Sequence, residues 1–281
     1  MSSNSTPISQ EEARSLLLKI ASDPRCGCDG GNLSSSLWYF GIEPGGSNQI
    51  NEKDCLLLSI PENVTGSDMD TTNEESYHTL ETDFGRYFNQ FCRAFLEWGT
   101  LEGSAALSDS WKRKILSEEG FAFKGNIYPL AKRNHELWES LDVGLDGQIL
   151  GKAEEVFGWT KPEYEAHMRQ VRKTLFGEAL AKNAVQNKTT VIVGTSTDEM
   201  NNFAEVFGAD ISQWEEIEIP VENQPKAYLA PVPGKKSSEP IAWLYVIPFF
   251  STPGRGRLSF EAQRAYAEKL REVLSEKGVA L

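Results

Sequence analysis

Four largely apolar runs divide the chain, and each of them stops abruptly at polar, glycine or proline residues. They cover 36–42, 121–130, 189–196 and 241–250. An apolar run of this length between turn residues is typical of a strand buried on both faces, and such strands favour a parallel sheet. The third run is followed directly by a helical pattern. Strand, short loop and helix in this order form the βα unit of a parallel sheet.

Helical periodicity marks most of the sequence between these runs. The strongest amphipathic pattern lies at 80–96, where mostly aromatic residues recur at helical spacing. Such a stripe usually belongs to the core, so we interpret this helix as part of the scaffold. Shorter elements complete the prediction: helices over 10–22 and 109–118, from Ala131, over 146–184 with a break at 158–162, over 197–207 and from Ser259, and short strands over 55–60 and 215–231.

The chain predicts one α/β domain that spans residues 1–281. No internal repeat, low-complexity tail or clear linker interrupts it, and its length allows a substantial core. An N-terminal helix and loop, 1–34, precede the main body. Residues 61–77 are acidic with little apolar content, and they are predicted as a long surface loop, a kind of segment that often forms a lid.

The distribution of charge limits the partners of the chain. The formal net charge is −13, and nonspecific affinity for nucleic acid depends largely on Lys and Arg residues that neutralise phosphates. The charge is uneven, however: residues 111–133 carry six Lys or Arg against two Glu, and Arg255 and Arg257 form a second basic spot. The net charge therefore argues against a nucleic-acid partner, whereas the two local basic segments are compatible with one.

The sequence lacks the features of export and of membrane insertion. It has no apolar run of about 18 residues, and residues 1–10 are polar, so we expect a soluble, cytoplasmic protein without a membrane partner. The four cysteines, Cys26, Cys28, Cys55 and Cys92, are irregularly spaced, which favours free thiols. A zinc or iron–sulfur site is the alternative. Because the usual two-residue spacer is missing, we expect no metal and no cofactor.

Three strand ends carry residues that are candidates for ligand binding or catalysis. Their sequences are Gly41-Ile42-Glu43-Pro44-Gly45, Asn126-Ile127-Tyr128-Pro129 and Phe249-Phe250-Ser251-Thr252-Pro253-Gly254-Arg255. Ligands of open α/β sheets bind outside the carboxyl ends of the strands, so a carboxylate and an amide at these ends are candidates for binding or catalysis. There are two plain alternatives: Glu43 opens an ordinary surface turn, and a neighbouring backbone group satisfies the side chain of Asn126.

In this order, the three motifs resemble those of the uracil-DNA glycosylase superfamily. Members of that superfamily open with a strand ending in Gly-x-(Asp/Asn/other)-Pro, read the base with an Asn or similar residue on a middle strand, and close with a His-Pro-Ser-Pro or His-Pro-Ser-Gly loop. The resemblance covers about residues 35–275 and implies a three-layer α/β/α sandwich with a short, mainly parallel central sheet. It also implies a divergent hydrolase that cleaves the N-glycosidic bond of a damaged or deaminated base in single-stranded or duplex DNA.

The resemblance assigns roles to individual residues. Glu43 matches the Asp or Asn that orients water or stabilises the sugar cation, and a carboxylate suits this task because positive charge builds on the sugar. Asn126 matches the residue that reads the Watson–Crick edge of a flipped base. The loop from Ser251 to Arg257 matches the segment that grips DNA phosphate and bears the catalytic His. The implied substrate-binding residues are Gly41, Ile42, Pro44, Gly45, Asn126, Phe249, Phe250, Ser251 and Arg255.

The closing loop departs from the family pattern. None of His78, His135 and His167 lies in it, and Phe249 or Phe250 occupies the position of the His. Loss of one positioned donor to the leaving base costs about 2.7–4 kcal/mol, although an aromatic residue there could stack on a base instead. Three hypotheses follow: a DNA glycosylase without that His, an enzyme of the same fold acting on a small nucleotide or nucleoside, and a non-catalytic binding protein. The sequence predicts no oligomeric state.

Overall fold

The computed structural model describes residues 8–23, 28, 30–42, 55–57, 83–96, 115–116, 119–129, 138, 142–145, 148–234, 239–249 and 260–279. In these residues the strands are β1 Gly30–Gly31, β2 Leu37–Gly41, β3 Cys55–Leu57, β4 Ala122–Asn126, β5 Asp142–Leu145, β6 Gln148–Lys152, β7 Thr190–Thr195, β8 Glu215–Ile217, β9 Ala227–Pro233 and β10 Pro240–Ile247. The described α-helices of five residues or more are α1 Gln10–Ala21, α2 Asp83–Phe95, α3 Ala153–Phe157, α4 Lys161–Val185, α5 Met200–Phe207 and α6 Phe260–Glu276.

Seven of the described strands form the larger sheet, in the order β1-β4-β2-β7-β10-β9-β8. The four central strands, β4, β2, β7 and β10, run parallel to one another. Antiparallel strands extend the sheet on both sides of this parallel centre. The chain therefore has an α/β fold with a mixed sheet whose centre is parallel. The other three strands form a small sheet with β5 between β3 and β6.

Helices cover both faces of the larger sheet, because its apolar central strands present side chains on either side. On one face, which we call the α4 face, helices α1, α3, α4 and α5 share a core with Trp38, Phe40 and Phe123. On the opposite face, which we call the α2–α6 face, α2 and α6 share a core with Tyr39 and Tyr245. Alternate residues of each central strand therefore belong to different cores.

Aromatic rings fill the core of the α4 face. The ring centroid of Phe40 lies 4.8 Å from those of Phe176 and Phe207 and 5.8 Å from that of Phe123. The rings meet at tilted or edge-to-face angles, which bring the positive edge of one ring towards the negative face of another. All four side chains are buried. These contacts fix α4 and α5 against β2.

Contacts with two central strands fix the helices of the α2–α6 face. The rings of Phe88 and Phe91 on α2 pack on the ring of Tyr39, at centroid distances of 5.0 and 5.6 Å. On α6, the carbonyl oxygen of Tyr266 accepts a hydrogen bond of 3.2 Å from the hydroxyl of Tyr245. Thus α2 lies on β2, and α6 lies on β10.

Local sequence determines where two of the helices begin. Ahead of α1, Glu12 Oε2 accepts a hydrogen bond of 2.8 Å from the backbone N–H of Ser9. Ahead of α4, Glu163 Oε2 accepts one of the same length from the backbone N–H of Thr160, and Pro162 lies in the first turn. Both are capping boxes, which satisfy backbone groups that have no partner within the helix.

The helix predicted over 146–184 is wrong in its first part. Residues 148–152 form β6, which pairs antiparallel with β5, and α3 begins only at Ala153. Pairing with a neighbouring strand outweighs the local pattern here, and Gly151 takes a φ of +148°, which favours glycine. Two short strands were not predicted: β1 lies in the segment expected to be a loop, and no strand was expected at β5. The other described elements lie close to their predicted positions, including the two strands expected over 215–231, which are β8 and β9.

Parts of the prediction concern residues outside the described ranges. They include the loop at 61–77, most of the helix at 109–118, and residues 131–137. The single domain over 1–281 stays a prediction. No helix in the described part of the chain is both long enough and apolar enough to span a membrane.

Gly177 offers a test of helix stability away from the strand ends. It lies exposed inside α4, and a methyl group added to it would meet no atom within 4 Å. Glycine loses more conformational freedom on folding than alanine does, so we expect Gly177→Ala to raise the free energy of unfolding by about 0.5–1 kcal/mol. Urea denaturation measures this change. A lower free energy of unfolding would contradict the open surroundings of this position.

Candidate functional site

The carboxyl ends of β2 and β7 lie side by side. The order in which the chain adds strands to the sheet reverses between these two strands. Among the parallel strands, the one that follows β2 in the chain is β4, which lies on one side, and the one that follows β7 is β10, which lies on the other. In open α/β sheets a crevice forms at such a switch point, and ligands bind there outside the strand ends. The candidate site is therefore the row of last strand residues, Gly41, Asn126, Thr195 and Ile247, which we call the carboxyl edge.

Backbone hydrogen bonds bring two of the predicted motifs together at this edge. Asn126 lies beside Gly41 in the register of the parallel pair. Beyond the strands, the N–H of Ile127 donates to the carbonyl oxygen of Gly41 at 3.1 Å, and the N–H of Tyr128 donates to that of Ile42 at 2.8 Å. Three residues that were predicted as site residues, Gly41, Ile42 and Asn126, are thus neighbours.

Thr195 connects β2 and β7 at the switch point. Its side chain is fully buried, and its Oγ1 donates a hydrogen bond of 3.0 Å to the carbonyl oxygen of Phe40. This bond lies where the backbone pairing of the two strands ends. It holds the strand ends at a fixed separation, and a binding site needs such rigid support.

The position of the Asn126 side chain depends on the absence of a side chain at Gly41. Asn126 is largely buried and, by alternation along β4, lies on the same face as Ala122, which is the α2–α6 face. A Cβ atom at position 41 would overlap Oδ1 of Asn126. Gly41 therefore provides the space that the amide oxygen occupies. An amide at this edge can both donate and accept hydrogen bonds to a planar ligand.

Further buried polar side chains lie on the α2–α6 face. Lys124 precedes Asn126 by two residues on the same face and is only 3% exposed, with its Nζ 5.8 Å from the ring centroid of Phe88. Helices α2 and α6 add three buried amides: Asn89, Gln90 and Gln263. Lysine and amide side chains are seldom buried in proteins. These buried polar side chains are exceptions in a layer whose other buried residues are mostly apolar.

Burial keeps two potentially reactive groups of this layer neutral. It raises the pKa of the Cys92 thiol well above its ordinary value, against the opposing effect of nearby Lys124. It also raises the pKa of Tyr39 well above its ordinary value, and Cys92 adds to that shift. Because the thiolate is the nucleophilic form of cysteine, Cys92 contributes to the core and not to chemistry.

The structure provides no arrangement for a metal in the residues that it describes. No group of three or more His, Cys, Asp or Glu side chains is placed to hold a metal ion there. Cys92 and the half-buried Cys28 are free thiols, as predicted. Cys26 and the side chain of Cys55 lie outside the described part.

Arg169 links two groups on the α4 face, next to the second motif. Its Nη1 donates to the hydroxyl of Tyr128 at 2.9 Å, and its Nε donates to Glu205 Oε2 at 2.6 Å. Burial raises the pKa of Tyr128, and the negative charge of Glu165 adds to the shift. Tyr128 therefore stays a neutral hydroxyl. Sequence analysis missed Arg169 and Glu205, since both lie on helices without a recognisable motif.

The third predicted motif also follows a strand end at the carboxyl edge, but it lies farther from β2 than the second motif does. Phe249 follows β10 by two residues and is 44% exposed. Because β7 lies between β10 and β2, two strand spacings, roughly 10 Å, separate this motif from the first. The remaining predicted site residues lie outside the described part of the chain: Glu43, Pro44, Gly45, Phe250, Ser251 and Arg255.

Comparison with known proteins assigns neither a family nor a function to the chain. No protein-family model, no curated protein and no solved structure matches the chain. The function of the carboxyl edge is therefore inferred from its own chemistry.

Proposed function

We propose that the protein is a divergent glycosylase-like hydrolase that releases a damaged or deaminated base from DNA by cleaving its N-glycosidic bond. The observation that carries this proposal is Asn126, which lies at the carboxyl edge beside a glycine that makes room for its amide. The proposal includes the three-layer fold of the uracil-DNA glycosylase superfamily. Helices on both faces of a sheet with a parallel centre support this part of it.

In this proposal Asn126 reads the base. Its amide presents two donors and one acceptor oxygen, and a flipped base exposes an edge that carries both donors and acceptors. The surrounding α2–α6 face is largely apolar. A hydrogen bond in such an environment is stronger than in water, so one amide can contribute substantially to the choice of base.

Glu43 supplies the carboxylate of the proposed reaction. It follows Ile42 directly in the sequence, and the carbonyl of Ile42 is held by the N–H of Tyr128. Cleavage of an N-glycosidic bond builds positive charge on the sugar, and a positioned negative charge stabilises it. The carboxylate therefore acts on the sugar while Asn126 binds the base.

Lys124 offers a substitute for the missing His. The departing base develops negative charge, and Lys124 is a buried lysine two residues before Asn126 on the same strand face. Two strand residues advance by about 7 Å, and opposite charges at that distance attract each other by about 2 kcal/mol at an effective dielectric constant of about 20. We assign to Lys124 the stabilisation of the leaving base.

A second candidate is an enzyme of the same fold that acts on a small nucleotide or nucleoside. The net charge of −13 favours it, because such a substrate needs fewer contacts from Lys and Arg to phosphate than DNA does. Asn126 would read the base in either case. The two candidates therefore differ in the sugar–phosphate part of the substrate and not in the base.

Release of a base is the test of the proposal. The purified protein is incubated with labelled single- and double-stranded oligonucleotides that carry uracil, hypoxanthine, xanthine or a mismatched thymine, and abasic sites are scored. We expect release from at least one substrate and its loss in Glu43→Gln, which removes the negative charge at nearly constant size. Release that is unchanged in Glu43→Gln would refute the role of Glu43. No release from any substrate would refute the DNA glycosylase.

The salt dependence of DNA binding separates the candidates. Steep loss of binding between low and moderate salt supports DNA as the substrate, because each phosphate contact releases counterions. No binding even at low salt supports the small nucleotide or nucleoside, or a protein that binds without catalysis.

A further inference from the structure

Gln263 is a buried amide without a hydrogen-bond partner among the described residues. It is the fourth residue of α6 and is fully buried, and neither its Nε2 nor its Oε1 is hydrogen-bonded. An unpaired buried amide destabilises a protein, because its hydrogen bonds to water are lost without replacement. Buried unsatisfied groups in folded proteins therefore call for a physical reason, and a ligand that supplies the partner is one such reason.

The packing of α6 places Gln263 at the carboxyl edge. Gln263 lies about one turn before Tyr266 on the stripe of α6 that faces the sheet, and Tyr266 is bonded to Tyr245 of β10. Ile247 lies two residues beyond Tyr245 on the same face of β10. One turn of helix and two residues of strand advance by similar lengths, about 5 and 7 Å. Gln263 is therefore level with the row of strand ends that includes Asn126.

Helix α2 lies beside α6 over the same face. The Nη1 of Arg271 on α6 donates a hydrogen bond of 2.6 Å to the carbonyl oxygen of Phe95 at the end of α2. Because α2 packs on β2 and α6 packs on β10, the strand between those two, β7, lies beneath the seam of the two helices. Asn126 of β4 lies on one side of this seam, and Gln263 lies on the other.

We propose that Gln263 is a second specificity-determining residue, which binds the side of a planar heterocyclic ligand opposite to the side bound by Asn126. The identity of that ligand as a nucleobase rests on the proposed function. Strands β4 and β10 lie three spacings apart, about 14 Å, so the two amides are on opposite sides of the seam. Each amide donates and accepts, which suits a ring that carries donors and acceptors on both sides.

The Gln263→Leu variant tests this inference, because it removes the amide at nearly constant size. Without ligand we expect the variant to be more stable than the wild type, with a midpoint of thermal unfolding about 2–6 °C higher, because the unpaired amide is gone. With free uracil, hypoxanthine or xanthine at millimolar concentration, we expect calorimetry to show about tenfold weaker binding. A rise in stability together with a fall in affinity is the signature of a ligand-binding amide.

Tyr266→Phe is the matched control on the same stripe of α6. The hydroxyl of Tyr266 donates a hydrogen bond of 2.6 Å to the carbonyl oxygen of Pro225, just ahead of β9, and β9 lies on the far side of β10 from Asn126. We expect this variant to be less stable than the wild type and to bind the free bases with unchanged affinity. If Gln263→Leu fails to fold, Gln263→Met provides a second apolar side chain of similar length.

Binding of free bases and release of bases from DNA are separate measurements, so the two proposals can fail separately. Equal affinity of the wild type and Gln263→Leu for the free bases would overturn the inference about Gln263. Release of a base from DNA would still support the proposed hydrolase. No binding of any free base by the wild type would also overturn the inference. Base binding that weakens in Gln263→Leu, without base release from any substrate, would support the inference and overturn the hydrolase.

Discussion

A Gly41→Ala variant is expected to keep the wild-type fold and to lose about a hundredfold in base release, since a displacement of about 1 Å in a positioned group can cost that much. The added methyl group overlaps Oδ1 of Asn126 and turns the amide away from the ligand. The backbone of Gly41 does not take a positive φ, and the displaced atom is the tip of a side chain. Alanine at this position therefore strains the fold little.

Two further variants show whether the loss has this cause. Asn126→Ala removes the amide itself and should lower base release at least as much as Gly41→Ala does. Gly177→Ala makes the same chemical change where the new methyl group has no neighbour, so it should retain full activity. Initial rates on one reactive oligonucleotide, together with urea denaturation, provide the measurements. A Gly41→Ala variant with the wild-type rate would show that Asn126 does not read the base.

The parallel centre of the sheet could be predicted because its signal is local. Leu37–Gly41 and Thr190–Thr195 are buried along their whole length, and both were recognised as apolar runs that end at turn residues. The proximity of Gly41 to Asn126 then follows from parallel pairing, since the carboxyl ends of parallel strands share one edge. In this way part of the candidate site was available from the sequence alone.

The remaining features of the fold and of the candidate site depend on contacts between residues that are distant in sequence. Pairing with β5 makes residues 148–152 a strand, and no local pattern reveals that partner. A lysine in a strand and a glutamine in a helix are ordinarily exposed; only the packing of α2 and α6 on the sheet buries Lys124 and Gln263. The switch point between β2 and β7 likewise follows from the order of strands, which depends on contacts between distant parts of the chain.

Replacing Phe40 with Ala is expected to lower the free energy of unfolding by about 3–5 kcal/mol, because the change removes buried apolar surface and leaves a cavity. The ring of Phe40 contacts those of Phe176, Phe207 and Phe123, and all are buried. The total stability of a domain is only about 5–15 kcal/mol, so the variant loses a large part of it. In urea, the midpoint should fall while the slope stays unchanged.

Phe121→Ala is the control for this change, because Phe121 lies just ahead of β4 and is 43% exposed. Its replacement should change the free energy of unfolding by no more than about 0.5 kcal/mol, and equal losses in both variants would contradict a core centred on Phe40. The carbonyl oxygen of Phe40 accepts the hydrogen bond from Thr195, and Gly41 follows it beside Asn126. Looser packing of Phe40 should therefore loosen the carboxyl edge, so base release should fall further than the unfolded fraction alone explains.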